Sequence, residues 1–425
     1  QDAILRAQNK WLFTRYDAFG RIAFTGIVTG LDRVAEQTAA DNAEEQWSLQ
    51  TENPIEVDDI SLYYNTSAYP LLGSIKELHT ISYYDNYNEI RDGMARPNGQ
   101  ILGQDQASNV KGLSTSSKVR VLGNKDWISS LTVYDKKGRT IWTKTSNPYL
   151  GTTDIAKIQL DFAGKTLQQQ TEHTKDNSPI ISTTDTFTYD HEGRLAMQEQ
   201  TLNGHTETLF LNQYDGLGQL KAKQVGNTLG NPLQTVDYNY NIRGWLTDIN
   251  DVDNKGSDLF AFQLYYNNPT HNSAEALYNG NIAQTNWSTA SADGSKYWYM
   301  YHYDALNRIN EAQFAGGGFW DRYSLKNVDY DKNGNIQGLM RRGHTNADAN
   351  TFGTMDNLVY GYDTGNKLTK VLDNGNDAYG FVDGAEQPTE YTYDANGNMT
   401  SDANKGITNV AYNPLNLPAS IDIGN

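Results

Sequence analysis

Hydrophobic and polar residues alternate one by one along much of this chain, most plainly at Tyr297-Trp298-Tyr299-Met300-Tyr301-His302-Tyr303, where a tyrosine falls on every odd position. A strict period of two makes an extended strand with two distinct faces. Such runs end in one short phrase, which returns four times within residues 297–399: Tyr303-Asp304-Ala305-Leu306-Asn307-Arg308-Ile309, Tyr330-Asp331-Lys332-Asn333-Gly334-Asn335-Ile336, Tyr362-Asp363-Thr364-Gly365-Asn366-Lys367-Leu368 and Tyr393-Asp394-Ala395-Asn396-Gly397-Asn398-Met399. After the tyrosine, Asp bonds the backbone two residues on, Asn and Gly tolerate positive φ, and an apolar residue reopens an extended run. The phrase therefore predicts a hairpin of strand, tight turn and strand. The apolar residue follows its tyrosine by six positions (303 to 309, 330 to 336, 362 to 368, 393 to 399), which makes the two near neighbours across the hairpin mouth.

The phrase opens at Tyr16-Asp17-Ala18-Phe19-Gly20-Arg21-Ile22 and returns at Tyr134-Asp135-Lys136-Lys137-Gly138-Arg139, Tyr189-Asp190-His191-Glu192-Gly193-Arg194-Leu195, Tyr214-Asp215-Gly216-Leu217-Gly218-Gln219-Leu220 and Tyr240-Asn241-Ile242-Arg243-Gly244-Trp245-Leu246. Spacings of 25 (189 to 214), 26 (214 to 240) and 27 (303 to 330) set the unit, and gaps of 55 (134 to 189) and 63 (240 to 303) are about twice that. Each gap has room for a degenerate repeat. The candidates are Leu160-Asp161-Phe162-Ala163-Gly164-Lys165-Thr166-Leu167 and a strand at 259–266 followed by a loop through Tyr278-Asn279-Gly280-Asn281. The last unit, Tyr412-Asn413-Pro414-Leu415-Asn416-Leu417-Pro418, carries two prolines and suits a sheet edge. A repeat protein of this kind buries its faces by stacking one unit on the next.

The pattern divides the chain into an N-terminal region of mixed character, 1–117, and a repeat segment, 118–425. In the first, the phrase occurs at Tyr16, strands are expected at 60–64 and 78–84, and the Ala-, Glu- and Gln-rich stretch 31–47 predicts the one helix. Tyr83-Tyr84-Asp85 resembles the phrase but lacks its Gly-Arg turn, and the Gly-, Asn- and Ser-rich residues 86–117 predict an irregular loop.

Composition changes the picture of the core. A mean hydropathy of -0.68, with 37 Gly and 28 Tyr, leaves too little apolar surface for a filled interior. A sheet wet on both faces, with tyrosine supplying apolar rings and polar tips, is the expected alternative. The formal charge of -17 repels phosphate backbones and anionic membranes, so nucleic acid is not an expected partner. No apolar run approaches the roughly 20 residues of a membrane span, and Gln1 opens no signal peptide. We read the chain as a soluble piece of something longer. Without cysteine, disulfides, thiolate metal sites and cysteine nucleophiles are excluded.

Catalytic and metal-binding patterns are missing. The seven histidines, His79, His173, His191, His205, His271, His302 and His344, show no helical metal-pair spacing and are expected to lie exposed on strands and turns. The stretches opening at Asp331 and Asp394 superficially match the start of a calcium loop, yet the sixth and twelfth places in the first hold Ile336 and Arg342 rather than Gly and Glu. They are read as turns. No enzyme activity, cofactor or metal is expected. The aromatic runs at 297–303 and at Phe319-Trp320 leave a second reading open, a sugar-stacking platform on a surface adhesin or carbohydrate-binding protein.

Taken together, these phrases resemble the YD repeats of the Rhs family, which includes shell-forming components of insecticidal toxin complexes and the extracellular shell of teneurins. At least nine copies over most of residues 134–418 carry the resemblance, and the stretches 240–251, 259–269 and 394–418 are particularly similar to Rhs proteins of Bacteroidetes. The resemblance implies an all-β fold in which hairpins are strung into a spiralling, curved sheet that forms part of a hollow shell. It also implies a secreted or cell-surface bacterial protein whose shell encloses or presents a C-terminal toxin released by an Rhs-associated core domain. The expected partners are that C-terminal core and toxin segment, absent from a chain that stops at Asn425, together with secretion machinery or another shell-covering protein.

Overall fold

The turn that the phrase predicts recurs throughout the computed structural model, which describes residues 3–30, 32–65, 67–290 and 294–424. At Asp190 the Gly193 amide donates to the Asp190 carbonyl and the Asp190 amide donates to the Arg194 carbonyl, both at 2.9 Å. Gly193, with φ +80°, closes a short type I loop that ends in a bulge. Across the mouth Tyr189 pairs with Leu195, and the register shifts between Thr188 and Tyr189. The six-residue offset is likewise a paired position at Tyr16 and Ile22, Tyr134 and Thr140, Tyr240 and Leu246, Tyr303 and Ile309, Tyr330 and Ile336, Tyr362 and Leu368, and Tyr393 and Met399. Strung together, the hairpins make the chain all-β as expected, with 52% of residues in strands and 5% in helix.

The chain divides into two compact units, Gln1–Leu211 with Gly226–Asn231 and Asn212–Val225 with Pro232–Asn425. In the first, the strands Lys10–Tyr16, Ile22–Thr29, Ile75–Asp85, Val110–Arg120, Trp127–Tyr134, Thr140–Asn147, Thr152–Leu160, Thr166–Lys175, Ile181–Tyr189, Leu195–Leu202 and His205–Tyr214 each pair antiparallel with the next. Within the second, an antiparallel meander runs from Leu220–Val225 to Leu368–Asp373, and a four-stranded sheet follows, Tyr391–Tyr393, Met399–Asp402, Ile407–Tyr412 and Pro418–Ile423. Both gaps in the spacing hold a repeat. Thr152–Leu160 and Thr166–Lys175 flank a turn at Asp161, and in the other gap the strand Phe260–Tyr265 is followed, after an insertion, by a turn at Asn279.

Three expectations need correction. The helix (α2) covers only Arg33–Asp41 of the predicted 31–47, and Leu31 lies outside the described residues. Asp32 caps it by accepting from the Val34 and Ala35 amides at 2.9 and 3.0 Å. It ends at the C-cap Asn42, beyond which Gln46 folds back to donate to the carbonyls of Ala40 and Ala43, and Glu45 accepts from Asn65. Short helices also form at Ala3–Ala7 (α1) and Glu89–Asp92 (α3).

Residues 86–117 are not one irregular loop, because the strand Val110–Arg120 slots between Ile75–Asp85 and Trp127–Tyr134. Its hydroxyls, which suggest a loop, are satisfied inside the fold: Thr115 donates to the Asn86 carbonyl at 2.7 Å and Ser116 to Asp92 at 2.5 Å.

Nor is the sheet wet on both faces throughout. In the first unit the hairpin Gln50–Val57 and Ile60–Tyr64 covers one stretch of sheet, burying Phe24, Leu62, Tyr64, Leu78, Ile81 and Tyr83 in a dry core. Met94 and Ile101, from the connection before Val110, cover Leu131, Val133, Ile141 and Trp142. From Thr152 to Leu202 the paired strands revert to mostly half-buried positions, as expected for a sheet without a filled core.

Candidate functional site

The recurring residues meet in the turns, where each motif carboxylate accepts from the chain's own backbone amides. Asp304 Oδ1 accepts from the amides of Leu306 and Arg308 at 2.8 and 2.9 Å, while Oδ2 accepts from Arg308 Nε at 2.7 Å. Asp17, Asp135 and Asp190 make the same three bonds, with Arg21, Arg139 and Arg194. At Asp331 and Asp394 an asparagine four residues on, Asn335 or Asn398, replaces the arginine. Asp215 and Asp363 keep the two backbone bonds. With those oxygens occupied, the two stretches that superficially match calcium loops are turns. Gly20, Gly138, Gly193, Gly218, Gly244, Gly334 and Gly397 hold the positive-φ position.

The backbone amide of Arg308 holds Asp304 below the usual carboxylate range, and the Lys165 amide does the same for Asp161. A carboxylate whose folded value lies below its unfolded one stabilises the fold above the unfolded value and loses that contribution as pH falls through the folded one. Stability is therefore expected to be flat from neutral pH down to about pH 4 and to fall below it. Urea midpoints measured across pH 2–7 check this, and Asp304→Asn should flatten the acid limb.

The tyrosines tie one turn to the next. Tyr84, Tyr134, Tyr189, Tyr266, Tyr303, Tyr330, Tyr362, Tyr393 and Tyr412 donate from their hydroxyls, at 2.5–2.9 Å, to the carbonyls of Ile22, Ser114, Thr166, Leu246, Ile282, Ile309, Ile336, Leu368 and Met399. Most of these acceptors are the residue six after the preceding repeat's first position. Burial raises the hydroxyls of Tyr189, Tyr303, Tyr362 and Tyr393, which keeps them protonated as donors. Tyr362→Phe should cost about 1 kcal/mol, whereas the exposed Tyr149→Phe should change stability by less than about 0.5 kcal/mol. Denaturant midpoints of the two variants make the comparison.

A second link, unread in the sequence, runs through the cation after the turn. Arg308 lies 4.2 Å from the ring of Tyr330 in the next repeat, Arg21 lies 4.2 Å from Tyr84, and Lys165 and Lys367 lie over Tyr189 and Tyr393. Arg139 also donates to the Asp161 carbonyl at 2.9 Å. The signal is a basic residue directly after the positive-φ residue at Gly20, Gly138, Gly164, Gly193, Asn307 and Asn366, but its target is a repeat away.

By fold, the chain is similar to a chain in the crystal structure of TcdB2-TccC3-Cdc42. The match has a TM-score of 0.53 at 13% sequence identity, covering 98% of this chain and 21% of that one. It is a likeness of architecture, and this chain spans about a fifth of the other's length. No family model and no curated protein matches the sequence.

The remaining candidate chemistry is dispersed. Among the described residues no group of three or more His, Asp or Glu side chains is placed to hold a metal ion, and no helix is long and apolar enough to cross a membrane. Against the expectation of exposed histidines, His79 is buried on Ile75–Asp85, where burial holds its pKa down. It sits there because the 50–64 hairpin lies over that stretch of sheet. The aromatic rings at 297–303 sort onto two faces. Trp287 stacks with Tyr297 and Tyr299 at 5.8 and 5.5 Å, and Phe314 closes on both. Trp298, on the opposite face, packs near His271, which stacks on Trp320.

Proposed function

We propose that this chain is a noncatalytic stretch of wall in a secreted or surface Rhs-type YD-repeat protein, and that the complete wall encloses or presents a C-terminal effector. The observation that carries the reading is the row of tyrosine hydroxyls bonded to the preceding repeat, beside carboxylates spent on their own turns. Groups used this way build a surface. The likeness to a chain of TcdB2-TccC3-Cdc42 supports a toxin-related shell architecture. Partners on this reading are the protein segments a shell encloses or is closed by. The adhesin reading draws less support, since the rings at 297–303 spend their faces on one another.

Limited proteolysis of the longer natural protein tests the proposal. The C-terminal segment should resist protease while the wall is intact and become sensitive when mild denaturant opens it. Immediate digestion under native conditions would exclude enclosure.

A further inference from the structure

Successive turns obey a rule that the hairpin itself does not require. Each apex has one residue of positive φ, and at six glycine apices the residue directly after the preceding apex reaches the next one. A Cβ built on Gly138 would meet Leu113 at 3.6 Å, on Gly164 Arg139 at 3.7 Å, on Gly244 Gln219 at 3.2 Å, on Gly280 Trp245 at 3.4 Å and on Gly397 Lys367 at 3.8 Å. On Gly193 it would run into Lys165. Each of these long side chains directly follows the positive-φ residue of the repeat before: Gly112, Gly138, Gly164, Gly218, Gly244 and Asn366.

Three apices are asparagine instead, and all three are met in one way. Asn307 Oδ1 accepts from the side-chain amides of Asn279 and Asn281 at 2.7 and 3.1 Å. Asn366 Oδ1 accepts from Asn333 and Asn335, both at 2.8 Å, and Asn416 Oδ1 from Asn396 and Asn398 at 3.2 and 3.0 Å. Each donor pair brackets a glycine apex, Gly280, Gly334 or Gly397. The backbone differs in step. Asn307, Asn366 and Asn416 have φ of 61°, 66° and 58°, within the left-handed region that asparagine tolerates. The six glycines under long side chains have φ of 75–98°, further into territory that glycine enters at little cost.

We infer that these two positions form a pairing code between consecutive repeats. A long side chain after one apex packs over glycine at the next, and Asn-Gly-Asn at one apex selects asparagine at the next. The code determines which repeat fits beside which, and it holds whatever the wall encloses. Gly334 departs from this contact: Arg308 donates past the apex to the Asp331 carbonyl at 3.4 Å, and a Cβ on Gly334 would meet nothing within 4 Å.

A double-mutant cycle in the full chain tests the code at residues 335 and 366. Asn335→Lys sets a long side chain against an asparagine apex, and Asn366→Gly leaves two amides without their acceptor. The double variant recreates the pairing found at Lys165 with Gly193 and at Lys367 with Gly397. Each single substitution should lower the thermal midpoint by roughly 2–4 °C, and the double variant should regain most of the summed loss, the non-additivity expected of a coupled pair. Strictly additive losses would overturn the code. Should Asn335→Lys alone fail to fold, recovery of folded chain in the double variant becomes the readout, and no recovery counts against the inference.

Discussion

Phe24→Ala is expected to destabilise the first unit by about 3–5 kcal/mol. Phe24 is fully buried on the strand Ile22–Thr29, within the core that the 50–64 hairpin closes. Its ring meets Phe13 edge-on at 6.0 Å and Tyr64 at 5.6 Å, and the buried Arg15 guanidinium lies 5.1 Å from its centre. Truncation leaves a cavity under strands held in register on both sides, so little collapse can fill it. It also strips a ring from beneath an arginine whose Nη2 already lacks a hydrogen-bond partner. Leu306→Ala, at a turn tip where the leucine is 70% exposed, truncates an apolar side chain in the same way and should change stability by less than about 0.5 kcal/mol. Urea unfolding followed by circular dichroism separates the two, and equal midpoints would mean that the first unit has no dry core.

Gly193→Val should cost on the order of 1–3 kcal/mol, while His191→Ala two residues earlier should be nearly neutral. Gly193 has φ +80°, a conformation that a β-branched residue adopts only under strain. The added side chain would also meet the end of Lys165, but that chain is flexible enough to swing aside, so the backbone decides the cost. Rebuilding the turn to relieve φ would break the Gly193 amide bond to the Asp190 carbonyl and disturb the pairing of Tyr189 with Leu195. His191 is 86% exposed at the tip, and its contact with Glu192 is 3.8 Å long. Yield of folded protein and the denaturant midpoint report both changes, and equal tolerance would contradict the turn.

The hairpins were legible because everything that specifies them lies within seven residues. Tyr303 and Ile309 pair across the mouth, Asp304 caps its own turn, and Asn307 supplies the positive φ. The concealed repeats could be inferred from spacing alone, even where Leu160 replaces the tyrosine. What joins one repeat to the next was less visible. Asn335 bonds Asn366, 31 residues away, and Arg308 lies over Tyr330, and neither contact leaves a local pattern. The N-terminal cores were missed for a related reason. Average hydropathy dilutes Phe24, Leu62, Leu78 and Ile81 among polar strands, although the fold gathers them under one hairpin. The serine-rich run before Arg120 suggested a loop because its partners, Asn86 and Asp92, come from the connection that precedes it.

On the proposed reading the repeats form a wall around a protected segment, and electron cryomicroscopy of a natural chain that carries both tests it most directly. The account predicts strands from these hairpins lining a closed cavity, with density for the C-terminal segment inside. A filled apolar core, or a C-terminal segment folded outside an open sheet, would contradict it.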